Sequence, residues 1–416
     1  MKTQNSIRFA LLAAAALFTH TAFAGKPPPP PPPPQPSSGT LVLNFSGPAG
    51  IGAYNWGLAA APSGTVYALG NYWPNDANSR QLVLSSSDSG HSWLVLDDYA
   101  PPERYVDFWF GLGGGIALDS ASVLYVTGRS YDDLYLEPGE PEHWYVRRSS
   151  DGGATWVTVD DFVMKSSATT DEMGIAVDAA GDVYVSGCDF YSSGSDWIIR
   201  KGVGGTSFST VDFLPNSYPK DIFVHPTAGI FVVGSTQVTI KNQTSSAWLV
   251  RRSTDGGATW SNVDTFQLSS GKYSGAWGFS ANASGIYVVG AGGAVNKGLS
   301  SDHWIVRKST NGGSSWTTVD NYQLAADNYS SARCVAADAY GNLFVAGRGE
   351  QGGNDGTFSH RYWVVRKSAG GTGPWTTADV FQNGASGTTP NAIAADAFGN
   401  VFVAGDDGGN WLIKRY

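Results

Sequence analysis

A glycine closes an apolar or aromatic run at seven places in this chain: Gly70, Gly128, Gly187, Gly234, Gly290, Gly347 and Gly405. The intervals between them are 58, 59, 47, 56, 57 and 58 residues. A near-constant period of this length means one supersecondary unit repeated, and it restricts the chain to repeat architectures.

Each unit has two halves. The first is a hairpin, seen at Ile175 to Gly187, Val335 to Gly347 and Ile393 to Gly405, with apolar runs flanking an Asp-x-x-Gly turn. Asp bonds its own backbone there, and Gly accepts a positive φ. The second half is a strand such as Trp144 to Ser149, a tight turn, and a strand ending in Val-Asp-x-Phe. Trp197, Trp248, Trp304, Trp363 and Trp411 start the equivalent strand in later units. Four short strands per unit with no helical periodicity predict an all-β fold, a seven-bladed β-propeller of four-stranded antiparallel blades. The last unit stops at its third strand, and Thr40 to Phe45 resembles the fourth-strand copy Phe208 to Phe213. The expectation is that the N-terminal strand completes the C-terminal blade and closes the ring.

Ahead of the repeats, Lys2 and Arg8 precede an apolar run from Phe9 to Phe18 and the segment Ala22-Phe-Ala24. This is the layout of a secretory signal peptide over residues 1–24, too short in its apolar part to span a bilayer. A secreted or periplasmic location is expected, with no membrane insertion after cleavage. Residues 25–39 form a Pro-rich linker with eight consecutive prolines from Pro27, and 40–416 the propeller. With 26 basic against 35 acidic residues there is no general basic field, so nucleic acid is not an expected partner. Cys188 and Cys334 lie three units apart, too far around a ring for a disulfide, and are expected as buried apolar residues.

The turn between the third and fourth strands is the most specific local motif. It reads Ser149-Ser-Asp151-Gly-Gly153-Ala-Thr155-Trp156 and returns at Ser253 to Trp260 around Asp255. Weaker copies carry Asp88 and Asn311. The carboxylate or amide accepts backbone N–H groups inside the turn, and glycine takes the left-handed conformation. The motif resembles the Asp-box, or BNR repeat, of the sialidase-like propeller superfamily, as a repeat pattern over residues 40–416. The resemblance implies a structural role for Asp88, Asp151, Asp255 and Asn311, on the face opposite any active site. Members that cleave sialic acid carry an Arg-Ile-Pro motif, three substrate arginines, a Tyr–Glu nucleophile pair and an Asp acid/base. No Arg-Ile-Pro occurs here. Arg147, Arg251, Arg307 and Arg366 repeat at one position and read as scaffold, solvated or stacked. Arg104, Arg129, Arg333 and Arg348 do not repeat.

No catalytic constellation is evident: there is no Gly-x-Ser-x-Gly elbow and no His-Glu-x-x-His. No cofactor and no metal site are expected. Gly111 to Gly115 is followed by a strand, unlike a phosphate loop, and reads as close backbone approach near the axis. Alignment on the anchor glycines puts Trp56, Met173, Lys220, Ala276, Arg333 and Asn391 at one position, beside Glu172, Asp221 and Trp277. Scaffold positions do not vary this much in charge and size. The candidate ligand residues are therefore Glu172, Asp221, Trp277, Arg333 and Asn391: acceptors, a stacking ring and an anion or hydroxyl donor. The function read from these residues is a secreted, non-catalytic binding module for a glycan or protein ligand. The alternative is a glycoside hydrolase or lyase of the sialidase-like superfamily.

Overall fold

The computed structural model describes residues 39–47, 52–74, 79–100, 114–131, 142–163, 174–191, 194–296, 299–352, 360–383 and 387–416. The expected signal peptide and nearly all of the expected linker lie outside them. The described residues form seven four-stranded antiparallel sheets, a seven-bladed β-propeller. Blades 1 to 6 take their strands in chain order over 53–99, 116–163, 174–214, 217–266, 274–322 and 330–381. Blade 7 combines Thr389–Ala395, Val401–Asp406 and Trp411–Arg415 with the N-terminal strand Thr40–Phe45 at its outer edge. Among the described residues the one helical element is the short turn Ala369–Gly371. No helix among them is long and apolar enough to cross a membrane.

The repeated glycine has two steric causes. On the inner strand a β-bulge brings a carbonyl against it. A Cβ at Gly70, Gly234, Gly290, Gly347 or Gly405 would lie 2.0–2.3 Å from the carbonyl oxygen of Tyr54, Tyr218, Gly275, Ser331 or Thr389 respectively. From the other side, the strand-3 tryptophan of the preceding blade packs onto the same glycine. Trp144 meets Gly187, Trp197 meets Gly234, Trp248 meets Gly290, Trp304 meets Gly347, and Trp411 meets Gly70 across the closing seam. These tryptophans are fully buried. Blade 1 lacks this tryptophan. Gln81 stands opposite Asn71 as Trp144 stands opposite Arg129, reaches Gly128, and donates to the Thr127 carbonyl at 2.7 Å.

Between blades runs a belt of buried ion pairs. In blades 2 to 6 the strand-3 arginine reaches the strand-4 aspartate of the blade before it. Arg200–Asp160, Arg251–Asp212, Arg307–Asp264 and Arg366–Asp320 are bidentate at 2.7–2.9 Å. Arg147–Asp97 and Lys414–Asp379 occupy two further interfaces. The guanidinium groups also stack on the strand-4 aromatic, Arg366 on Tyr322 at 4.0 Å and Arg200 on Phe162 at 4.2 Å. The repeated arginines are therefore stacked as expected, but buried rather than solvated. The paired aspartate, hidden one period upstream, is what makes their burial tolerable.

The closing strand keeps the blade register. Phe45 stands opposite Trp411 with the rings edge-on at 6.1 Å, as Phe266 meets Trp248 at 6.2 Å. A bulge between Leu41 and Leu43 puts Leu43, not Asn44, at the belt position held by Asp212 in blade 3. The sequence match of this strand to Phe208–Phe213 is thus one residue out of step. On the facing blade the arginine position is Leu84. At the seam the ion pair is replaced by two leucines in one apolar cluster.

The strand 3–4 turns hold themselves by side-chain hydrogen bonds. The Ser149 hydroxyl meets Asp151 Oδ1 at 2.8 Å and accepts the Gly153 N–H at 2.9 Å. Asp151 accepts the Thr155 N–H at 2.9 Å and the Thr155 hydroxyl at 2.5 Å, and Trp156 Nε1 donates to the Gly153 carbonyl at 3.1 Å. Asp255 repeats the set with Ser253, Thr259 and Trp260. The Thr155 hydroxyl, then its N–H and the Ser149 hydroxyl, pull the Asp151 carboxyl down to about 2. A folded value below the unfolded one of about 3.9 means the contribution is present above pH 4 and lost as pH falls toward 2. Asp151→Ala is accordingly expected to lower the melting temperature at pH 7, with the gap to the parent closing between pH 4 and pH 2. A gap that does not change over that range excludes the carboxylate as the origin of the effect.

Candidate functional site

In an antiparallel blade the start of the inner strand lies at the opposite end from the strand 3–4 turn. The bulges that force the anchor glycines sit near that start, and each leaves one residue without a partner across the ladder. These residues are Trp56, Lys220, Trp277, Arg333 and Asn391, between Asn55/Gly57, Pro219/Asp221, Ala276/Gly278, Ala332/Cys334 and Pro390/Ala392. All five line one axial cavity of about 260 Å³, with Gly114, Gly115, Gly174, Asp221 and Cys334 completing much of its wall. Bulges re-aim side chains next to functional sites, and here they turn one residue from each of five blades toward the cavity.

Of the residues that glycine alignment puts at one position, Trp56, Lys220, Arg333 and Asn391 line the cavity and Ala276 does not. Ala276 is buried and pairs with Gly290, and Trp277 occupies the equivalent place. The reason is a shorter hairpin. In blade 5 Asn282 pairs directly with Gly285, and the bulge stands one residue nearer its glycine. Glu172 and Met173 lie outside the described residues. In blade 2, Gly114 lines the cavity, and a Cβ there would sit 3.1 Å from both Leu69 and the Thr127 carbonyl. Close backbone approach is the reason for glycine at Gly114, as its sequence context suggested. Of the four unrepeated arginines, Arg333 alone is described as lining the cavity. Arg129 is buried elsewhere, Arg348 pairs with Glu350, and Arg104 is outside the described residues.

Trp277 organises the cationic side. The Arg333 guanidinium lies 4.8 Å from its ring centroid and the Lys220 ammonium 5.8 Å. Lys220 also donates to the Tyr218 hydroxyl at 3.0 Å, and Trp277 Nε1 donates to the Tyr273 hydroxyl at 3.2 Å. On the opposite side Trp56 stacks with Tyr54, centroids 6.4 Å apart at 21°. Asn391 joins the two sides. Its Nδ2 donates to the Asn55 carbonyl at 3.2 Å and to Asp406 at 2.9 Å, and its Oδ1 accepts from Arg333 at 3.5 Å. Burial holds the Asp406 carboxyl above the usual carboxylate range, against the Asn391 and Gly408 hydrogen bonds and the Arg333 charge.

Asp221 is turned into the wall. Its Oδ1 accepts the Ile222 N–H at 2.8 Å and its Oδ2 the Phe279 N–H at 3.2 Å, which ties blade 4 to blade 5. Cys334 is a buried thiol whose pKa burial pushes up, Cys188 is buried too, and neither forms a disulfide. The repeated histidines serve their own blades, His143 with Asp161 at 2.8 Å and His303 with Asn321 at 2.7 Å. Among the described residues no group of three His, Cys, Asp or Glu is placed to hold a metal ion.

No protein-family model matches the chain. A xyloglucanase from Paenibacillus sp is 24% identical over 214 residues, 46% of this chain and 20% of that protein. The chain thus spans about a fifth of that relative's length. The alpha-L-arabinanase of Penicillium chrysogenum, solved with arabinobiose, superposes with a TM-score of 0.51 at 11% identity, over 91% of this chain and 98% of that one. A PL25 ulvan lyase bound to -[GlcA(1-4)Rha3S]- superposes with a TM-score of 0.53 at 11% identity, over 90% and 95%. At such identity these likenesses establish the propeller fold and nothing finer.

Proposed function

We propose that this chain is a secreted, carbohydrate-active β-propeller of the Asp-box type that engages a polysaccharide at its axial cavity. The observation that carries the reading is the bulge ring. Five blades turn Trp56, Lys220, Trp277, Arg333 and Asn391 into one cavity, a set of apolar ring faces and hydrogen-bond donors that suits a pyranose. The similarities to a xyloglucanase, an arabinanase and an ulvan lyase support a carbohydrate over the protein ligand that the sequence alone left open.

The same similarities favour cleavage over retention of the glycan. The described part of the cavity speaks for a different chemistry from paired-acid hydrolysis, which needs two carboxylates across the bond. Asp221 is the one carboxylate among the described lining residues, and two backbone amides engage it. A glycan array run beside a chromogenic glycoside panel, with absorbance of an unsaturated product as the lyase readout, separates binding, hydrolysis and elimination. Trp277→Ala removes an apolar face and the platform of both cations. It should weaken glycan binding at least tenfold, about 1.4 kcal/mol. Undiminished binding in that variant, or an array and panel without a response, overturns the reading.

A further inference from the structure

Arg333 differs from the other arginines that the fold buries between blades. Arg147, Arg200, Arg251, Arg307 and Arg366 each meet an aspartate of the preceding blade. Arg333 makes no ion pair with any described residue. Its contacts are the Trp277 ring at 4.8 Å and one long hydrogen bond to the Asn391 side-chain oxygen at 3.5 Å. Its Nε is buried and has no hydrogen-bond acceptor. Across the cavity Trp56 Nε1 is likewise buried without an acceptor. The buried strand-3 tryptophans share the unmet indole N–H, so the weight falls on Arg333, a permanently charged group that lines the cavity without a carboxylate among the described residues.

The neighbouring carboxylates do not answer this demand. Asp221 accepts from the Ile222 and Phe279 amides, and Asp406 from Asn391 and Gly408. Arg333 acts on Asp406 only through space. A planar guanidinium, held flat by an indole and by an amide oxygen, offers its remaining N–H groups in a fixed fork that matches a carboxylate or sulfate.

Resting on the carbohydrate reading above, we infer that the axial cavity selects an anionic sugar, a uronate or a sulfate ester, with Arg333 as the group that receives its charge. Trp56 Nε1 stands across the cavity for the sugar's hydroxyl or ring oxygens, and Asn391 beside Arg333 positions the guanidinium. Trp277 is then a support for the arginine as much as a face for the sugar.

The test compares an oligogalacturonide, its methyl ester and a sulfated galactan oligomer of equal length by calorimetry, on the parent, R333M and R333K. Neutral xyloglucan and arabinan oligomers are run alongside. The parent should bind the acid or the sulfated oligomer at least tenfold tighter than the ester, and the gap should narrow as salt is raised. R333K should keep part of that preference, and R333M should bring the ratio close to one at an unchanged melting temperature. Preference for the sulfated oligomer with the same loss in R333M supports the inference and assigns the anion as a sulfate ester. Equal affinity of the parent for acid and ester, or a preference that survives R333M, overturns it. Binding of the neutral oligomers alone overturns the anion assignment and leaves the carbohydrate reading standing. Silence of every probe removes both.

Discussion

A chain lacking residues 25–46 is expected to melt far below one lacking only residues 25–37. The closing strand Thr40–Phe45 supplies the outer edge of blade 7 and adds to the packing of the inner strands of blades 7 and 1. Phe45 packs on both Trp411 and Tyr72, with centroids 6.1 and 6.3 Å away. The Val42 carbonyl accepts the Trp93 indole N–H from the blade 1 turn at 3.2 Å, and Arg415 reaches the Ser89 carbonyl of the same turn at 2.7 Å. Removing the strand strips apolar cover from Trp411 and Ile413, on the order of 5 kcal/mol for the side chains Val42, Leu43 and Phe45 together. It also bares the backbone of Trp411–Arg415 as an open sheet edge, which invites pairing between chains. Differential scanning calorimetry and light scattering on the two truncations check this. Equal melting temperatures would remove the closing strand from the account of stability.

Blade count, strand order and ring closure were legible because the repeat is enforced by contacts that recur from blade to blade. At Gly70, Gly234, Gly290 and Gly347 the anchor glycine is caught between a bulge carbonyl and a tryptophan, so neither can drift without the other. The belt was only half legible. Arg147, Arg251, Arg307 and Arg366 declared themselves as repeats, but their partners lie one blade upstream, 39 to 50 residues away in the pairs to Asp97, Asp212, Asp264 and Asp320. A single unit read alone makes the arginine look exposed. Lys414 and Leu84 hold the same position with different chemistry, which conceals it further.

At Trp56, Lys220, Arg333 and Asn391 a fixed offset from the anchor glycine reached a cavity-lining residue for the same reason. The distance from bulge to anchor glycine is fixed by the hairpin, and four hairpins share one length. Blade 5 shortens its turn to Ala283-Ser284, and Trp277 takes the place that a fixed offset gives to Ala276. The alternation of small and large residues around the ring carried the signal. What sequence did not disclose is which groups are spoken for. Asp221 reads as an acceptor for a ligand, and the fold commits both its oxygens to backbone amides. Arg333 reads as one of several cations, and the fold leaves it without a carboxylate among the described residues.

The belt itself yields the second large effect. Asp320→Ala leaves the Arg366 guanidinium buried against Tyr322 with its charge uncompensated, and should cost about 3–5 kcal/mol. Asp264→Ala should do the same to Arg307. The pairs are not therefore net stabilisers. Burial holds the Asp264 and Asp320 carboxyls above the ordinary range even beside a guanidinium, so desolvation outweighs attraction at these positions. The chain contains its own control. At the seam between blades 7 and 1 both belt positions are leucine, Leu43 and Leu84, within one apolar cluster. The double variant Asp320→Leu/Arg366→Leu should consequently recover most of the loss of the single variant, and a mutant cycle should return a coupling energy of at least 2 kcal/mol. Introducing Leu84→Arg alone should be as damaging as Asp320→Ala, because Leu43 cannot answer it. Urea unfolding of these variants, with Asp320→Leu and Arg366→Leu alone to close the cycle, decides the matter. A double variant no more stable than Asp320→Ala would mean that the ion pair, rather than mere complementarity between neighbouring blades, is what each interface requires.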